Sequence, residues 1–440
     1  MTLSASMIRQ DNALRARGGL HPADVTAAAL LAVLSLVLYA PLGFRLAQGH
    51  YLEYYNLAFD FDPIRTVDAL TSTPPDFLNV KHPLFVLLRP LAWPLLALGL
   101  TGKEAAALLM SGFGAGTVAL SYAFLRGIPV ERPIAIALAL LFIVSGAQMF
   151  TSIIAETYGV AAFSIAATWC VGQARLRDPA RFRRLRYGVA VLVFGTTVTN
   201  VVQSFIAEMM VAWHRDGFWR AIRRCIVFGL ILAVPIVALA CAVWFHPLLA
   251  ELRDPILALK HVWWEQTKGP RTGALQVVAT FLGFSFVSPR YSWLLLPEGI
   301  NMRDFRAWSF GGTGQVAVVL WLLFWATGAV AALLHPRFRV LAAGLAVALA
   351  ANLIFHLDFQ FRGSLYIYAA HMHFLVFALA AGLAPWLSGR DLAGRIYLGV
   401  VTLLIVLFAI NNLPIVVRFT QDFDQVHLAC TPPCADQAGS

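Results

Sequence analysis

Charge is scarce in this chain. Of its 440 residues only 13% are Asp, Glu, Lys or Arg, where a soluble globular chain carries about 25%. With 59% hydrophobic residues, that scarcity excludes a soluble protein. Lysine is nearly absent: four Lys stand beside 29 Arg, against 23 acids in all. In a soluble chain the resulting net charge of +10 would point to nucleic acid. In a chain this apolar, the cytoplasmic loops of a membrane protein account for it, and no nucleic-acid partner is expected. The period-2 alternation of an outer-membrane barrel is missing, so the spans are helical. No secretory signal peptide is expected, because the first apolar run, about 25–46, is long enough to span and has no small-residue cleavage site. Internal repeats, low-complexity tracts and a sizeable soluble domain are absent, so 1–440 reads as a single membrane domain. Cysteine is sparse, at five. Cys170, Cys225 and Cys241 lie in or beside apolar segments as small hydrophobes. Cys430 and Cys434, in "CTPPC", are spaced to close a small disulfide if the tail lies outside the cytoplasm.

What is present is one apolar stretch after another. The expected fold class is all-α: a polytopic integral membrane protein with about eleven spans and interfacial helices on the outer face. The first span is 25–47, and 48–103 is an outer loop carrying interfacial helices. Central spans fill 104–245, with the polar pair at 188–213 either two short spans or a re-entrant hairpin. An outer segment over 246–310, rich in Trp, holds amphipathic helices, one of them at 275–287. Four last spans fill 311–413, and 414–440 is an outer tail. The intervening cytoplasmic segments hold 19 Lys and Arg against 6 acids, and the remainder 14 against 17. That bias fixes one orientation: N-terminus cytoplasmic, C-terminus outside. The outer side, on which the candidate residues fall, is periplasmic or lumenal.

Four clusters fall on that outer face. In "YLEYYNLAFDFDPIR" (51–65), Glu53, Asp60 and Asp62 supply carboxylates that suit a general base or half a divalent-metal site. An extended backbone before Pro63 would put Asp60 and Asp62 on one face. The plainer reading is a solvated loop with Asp62 as helix cap. In "NVKHPLF" (79–85), Lys81 and His82 suit a lipid phosphate, or simply an interfacial helix start. In "IIAETYG" (153–159), Glu156 sits in a turn so short that the acid lies near hydrocarbon, where it is expensive unless paired or functional. It suits support of the acid pair or a metal, or a helix cap. In "FHLDFQFRGSLYIYAAHMHFLVF" (355–377), Arg362 suits a phosphate. Tyr366 and His373, seven apart, would share one helix face. An aromatic belt with interfacial histidines is the alternative. Glu208, a further intramembrane acid, receives no role.

Together, in this order and on one side, these motifs resemble the GT-C superfamily of polytopic glycosyltransferases, such as the protein O-mannosyltransferases and the aminoarabinose and arabinofuranosyl transferases. "KHPLF" (81–85) is similar to that family's His-Pro-Pro-Leu entry into interfacial helices, with the second proline missing. Glu156 matches an acid in the second outer turn, and "YIYAAHMHF" is similar to late spans of some bacterial members. The resemblance implies an inverting enzyme that takes a sugar from a polyprenyl-phosphate donor and attaches it to a glycan, lipid or protein acceptor. One of Asp62, Asp60 and Glu53 would be the base. Lys81, His82, Arg362, Tyr366 and His373 would bind the donor phosphate and lipid. Glu156 would support them or help hold a divalent cation, Mg or Mn. A transporter or flippase for a lipid-linked or small anionic solute is the alternative, with Asn200, Gln203 and Glu208 lining a path.

Overall fold

In the helix Pro22–Gln48 (α1), Leu30, Val33, Leu34 and Val37 all point outward, about half or more exposed. A row of large apolar side chains facing away from the core is stable only against lipid. The same outward greasiness marks Phe218–Ala238, Gly312–Leu334 and Asp391–Asp422. The computed structural model describes residues 21–53, 57–72, 82, 88–245, 272–295, 301–360, 365–387 and 390–422.

The chain is a multi-pass helical membrane protein. Among the described residues six helices are long and apolar enough to cross a bilayer: Pro22–Gln48, Gly102–Gly127, Phe218–Ala238, Gly312–Leu334, Arg339–Asp358 and Asp391–Asp422. A seventh span results if Arg132–Ile143 and Gly146–Ile153, bent by 60°, count as one. The sequence leads one to expect about eleven. The difference lies in segments that do not run as one long apolar helix. The 188–213 pair becomes Leu185–Thr196, a 3-10 turn at Val198–Asn200, and Val201–Asp216. The 365–387 segment breaks into a 3-10 helix Tyr366–His371, the helix His373–Ala380 and two short turns.

In chain order the next helices are α2 (Pro63–Thr71), α3 (Arg89–Ala97), α4 (Gly102–Gly127), α5 (Arg132–Ile143), α6 (Gly146–Ile153), α7 (Thr157–Arg177), α8 (Leu185–Thr196) and α9 (Val201–Asp216). Helix α4 starts on a reciprocal cap. Thr101 Oγ1 accepts from the Glu104 N–H at 3.3 Å, and Glu104 Oε2 accepts from the Thr101 N–H at 2.9 Å. It is the central column, packed along α1 on one side and α7 on the other.

The α5–α6 bend is the pivot of the fold. A broken helix inside a bilayer must find other partners for its freed backbone groups. Here the N–H groups of Gly146 and Ala147 donate to the carbonyls of Phe286 (3.1 Å) and Ser285 (2.7 Å). Asn412 donates to the carbonyls of Val144 (2.9 Å) and Phe286 (2.7 Å).

Two expectations for the outer segment change. Tyr291–Leu295 and Asn301–Phe305 pair as an antiparallel hairpin, Tyr291 opposite Phe305 and Leu295 opposite Asn301, a two-stranded piece within a mostly helical protein. The 275–287 stretch is not an amphipathic helix lying at an interface. It is a short helix, Ala274–Ala279, continued by a π-turn at Thr280–Phe284 whose residues are all buried. The last helix runs on to Asp422, past the expected 413.

Candidate functional site

Glu156 is the centre of the constellation. It lies between α6 and α7, is 6% exposed, and caps α7. The N–H of Thr157 donates to its Oε1 at 2.9 Å, as do the hydroxyls of Thr157 (3.2 Å) and Thr66 (3.3 Å). Its Oε2 accepts from the backbone N–H of Asp62 at 2.9 Å. One buried carboxylate therefore ties the second inter-span turn to the loop carrying the acid pair, 94 residues earlier in the chain. Gly159 lets that turn close up: a Cβ there would meet the Thr151 carbonyl oxygen at 2.7 Å. Burial, and next the charge on Asp62, push the Glu156 carboxyl up to about 7, against the N–H groups that favour its charged form.

The acid loop is a tight turn and not the extended segment expected. Phe59 and Asp60 both take positive φ, 54° and 59°. The Phe61 N–H donates back to the Ala58 carbonyl at 3.0 Å. Two adjacent non-glycine residues in the left-handed region store strain that the surroundings must hold in place. An aromatic cage does so. Phe59 sits 4.7 Å from Phe305, 5.0 Å from Tyr366 and 5.2 Å from Phe150, ring centre to ring centre.

Asp60 is shut in, 3% exposed. Asp62 stands at the cap position of α2 without a side-chain cap bond. Its carboxylate faces Arg65 Nη1 at 3.1 Å and is about a third exposed. The hydroxyl of Tyr158 lies in the field of Glu156, Asp62 and Asp60. The hydroxyl of Tyr51, wholly buried, is pushed well above its ordinary value by burial, then by Glu156 and Asp62. Three carboxylates and two phenols thus share one neighbourhood, and the phenols are not evident from the sequence. For Tyr158 the available signal is adjacency to Glu156.

Of the other site residues of the sequence reading, Tyr366 joins the acid loop, while Glu53 and His373 lie elsewhere. Glu53 is not brought to this pocket. It is 41% exposed and bound to His50 and Lys103, both at 2.7 Å. Partial burial would raise its carboxyl, but the hydrogen bonds from Lys103 and His50 outweigh it and hold the group below its usual value. The His82 ring contacts the Thr196 carbonyl and lies within electrostatic reach of His371. Tyr366 joins the aromatic cage, 4.4 Å from Phe305. His373 does not share its face, because the chain is a 3-10 helix up to His371 and restarts after Met372. His373 is buried at the α5–α6 break, its Nε2 3.0 Å from Ser145 Oγ and its ring stacked on Phe142 at 4.6 Å. Lys81, Arg362, Cys430 and Cys434 lie outside the described residues.

Among the described residues no three His, Cys, Asp or Glu side chains gather to hold a metal ion. Both Glu156 oxygens accept protein hydrogen bonds, three at Oε1 and one at Oε2.

A second set of buried acids lies at the opposite, arginine-rich end. Asp24 accepts from Arg126 (2.9 Å), Arg132 (2.8 Å) and the Tyr122 hydroxyl (2.9 Å). Glu208 is clamped between Arg175 and Arg186. Gln203 accepts from Trp169 Nε1 at 3.1 Å and donates to the His371 carbonyl at 2.9 Å.

The chain matches no protein-family model, and no curated protein matches it.

Proposed function

We propose that the protein is an inverting membrane glycosyltransferase that moves a sugar from a polyprenyl-phosphate donor to an acceptor hydroxyl at the acid end of the bundle. The observation that carries this reading is the anchoring of the Asp62 backbone by a buried Glu156. It fixes an accessible carboxylate beside a second, enclosed one. A general base must first reach the proton it takes. Asp62 is exposed enough to do so, and Arg65 orients it. Asp60 is enclosed, and its strained turn positions the loop.

In the proposed reaction Asp62 removes the acceptor hydroxyl proton as the oxygen bonds to the anomeric carbon. The bond from that carbon to the phosphate oxygen breaks, and the polyprenyl phosphate leaves with the electron pair. By the GT-C resemblance, Lys81, His82 and Arg362 would meet the leaving phosphate and stabilise its growing charge. Tyr366 backs the acid loop through its ring contact with Phe59. A divalent cation, Mg or Mn, would neutralise phosphate charge if Asp60 and Asp62 held it. The acceptor is a glycan, lipid or protein hydroxyl. By the GT-C resemblance, the reaction belongs on the periplasmic face of a bacterial inner membrane.

Of the three residues that would line a transporter path, Glu208 and Gln203 spend their polar atoms on protein partners, and Asn200 keeps a buried Nδ2 that makes no hydrogen bond among the described residues.

The test is transfer of label from radiolabelled undecaprenyl-phosphate hexose to cell-envelope acceptor by reconstituted protein. Covalent transfer that fails in Asp62→Asn supports the reading. Flux of the lipid across the bilayer with no covalent product overturns it.

A further inference from the structure

A cavity of about 530 Å³ opens at the arginine-rich end, far from the acid pocket. Helices α4 and α8 both pack on α7, and the cavity lies between them. Its deep walls are apolar, from Phe163 and Ala167 of α7 and Leu192 of α8. Its mouth carries Arg177, Arg181 and Phe182. The one acid in the lining, Asp24, is already bound by Arg126 and Arg132. The lining is apolar at depth and carries arginine side chains and an aromatic ring at the lip.

The dimensions fit a lipid chain. From Arg177 up to Phe163 is 14 residues of α7, or about 21 Å of helix. One leaflet's hydrocarbon is roughly 15 Å deep. A chain entering at the arginines can lie along the cleft for the full depth of its leaflet.

Two further details point to an occupant. Phe182 takes φ 55°, a conformation that strains a bulky residue. It is 40% exposed, with the Arg181 guanidinium 4.9 Å above its ring. The turn thus presents one aromatic and one cation together at the lip. Gly188 of α8 lines the same cavity, and a Cβ built there meets nothing within 4 Å. The space beside it is open.

We propose that this cleft binds one anionic phospholipid of the leaflet at the arginine-rich end, its acyl chain between α4 and α8 and its phosphate at Arg177 and Arg181. Basic pockets between membrane helices take anionic head groups in this way. Nothing in this site touches the acid pocket, so it stands whether or not the protein transfers sugar.

The two halves of the proposal separate by mutation. Gly188→Leu fills the chain channel, and on a helix it does not disturb the backbone. Arg177→Gln with Arg181→Gln removes head-group charge and leaves the channel. Delipidated full-length protein is titrated with dioleoyl-phosphatidylglycerol or dioleoyl-phosphatidylcholine, and adducts are counted by native mass spectrometry. Wild type should hold one phosphatidylglycerol in preference to phosphatidylcholine. Removing the two arginines should cut that preference on the order of tenfold, and Gly188→Leu should remove the tight adduct of either lipid. If Gly188→Leu does not fold, the arginine pair decides. Equal binding of the two lipids by wild type, or unchanged selectivity without the arginines, overturns the proposal. So does competition by inorganic phosphate as effective as by the lipid.

Discussion

Glu156 and Glu208 are both buried glutamates of the same bundle, one in a turn and one in a helix, yet their surroundings are opposite. Glu208 is 3% exposed and clamped by two guanidinium groups. Glu156 is held by two backbone N–H groups and two threonine hydroxyls, and the charge of a second carboxylate, Asp62, acts on it. The first arrangement neutralises an acid and pins α7, α8 and α9 together. The second keeps an acid near neutrality and holds the loop that carries Asp60 and Asp62. Asp24, with its two arginines, repeats the Glu208 pattern at the same end. The bundle thus divides its buried acids between an end where guanidinium groups hold them and an end where backbone N–H groups and hydroxyls do.

The comparison breaks most visibly at Asp62. Asp62→Asn should lower transfer by about 10²–10⁴-fold, the contribution of a positioned base, with little change in thermal unfolding. Asp60→Asn should cost less transfer and more stability, because a buried group in a strained turn is altered. At the other end, Glu208→Ala leaves Arg175 and Arg186 facing each other. It should destabilise the protein by about 3–5 kcal/mol, read as a drop in unfolding temperature in detergent.

The pH dependence should mark the two ends differently. The fold binds the Glu156 proton more tightly than the unfolded chain does. Its stabilisation is therefore complete below about pH 4.5 and lost as pH rises toward about 7. A tenfold difference in proton affinity is worth about 1.4 kcal/mol, so the loss is up to about 3 kcal/mol. Glu156→Gln should flatten that slope in unfolding measured from about pH 4 to 8. The smallest effect belongs to Glu53, an exposed ion pair with Lys103 and His50. Glu53→Gln should change stability by under about 1 kcal/mol, in the same unfolding assay.

Much of this contrast is legible in the sequence, for a physical reason. Length and apolarity reveal spans, so Pro22–Gln48, Gly102–Gly127 and Gly312–Leu334 fall where the hydropathy puts them. Charge in an apolar context is rare, so Glu156, Asp60, Asp62 and Glu208 stand out. What local pattern cannot convey is which partner arrives from far along the chain. The bond from Asp62 to Glu156 spans 94 residues, and the arginines that claim Glu208 come from outside its own helix. Breaks are also hidden. The interruption at Val144–Ser145 is repaired by Asn412 from the last helix, and the Asn411–Asn412 pair inside an otherwise apolar span is its one signal. His373 misleads for the same reason: heptad spacing assumes a continuous helix, and the chain restarts at Met372. The strained turn at Phe59–Asp60 depends on rings from Phe150, Phe305 and Tyr366, which no window around residue 60 contains.

On the proposed function Asp62 does chemistry while Glu208 holds structure. The decisive measurement is label transfer from undecaprenyl-phosphate hexose in reconstituted Asp62→Asn and Glu208→Gln side by side, each normalised to folded protein. Asp62→Asn should lose at least about a hundredfold, and Glu208→Gln should transfer at near wild-type rate per folded molecule. Full transfer by Asp62→Asn, or equal losses in both, would contradict it.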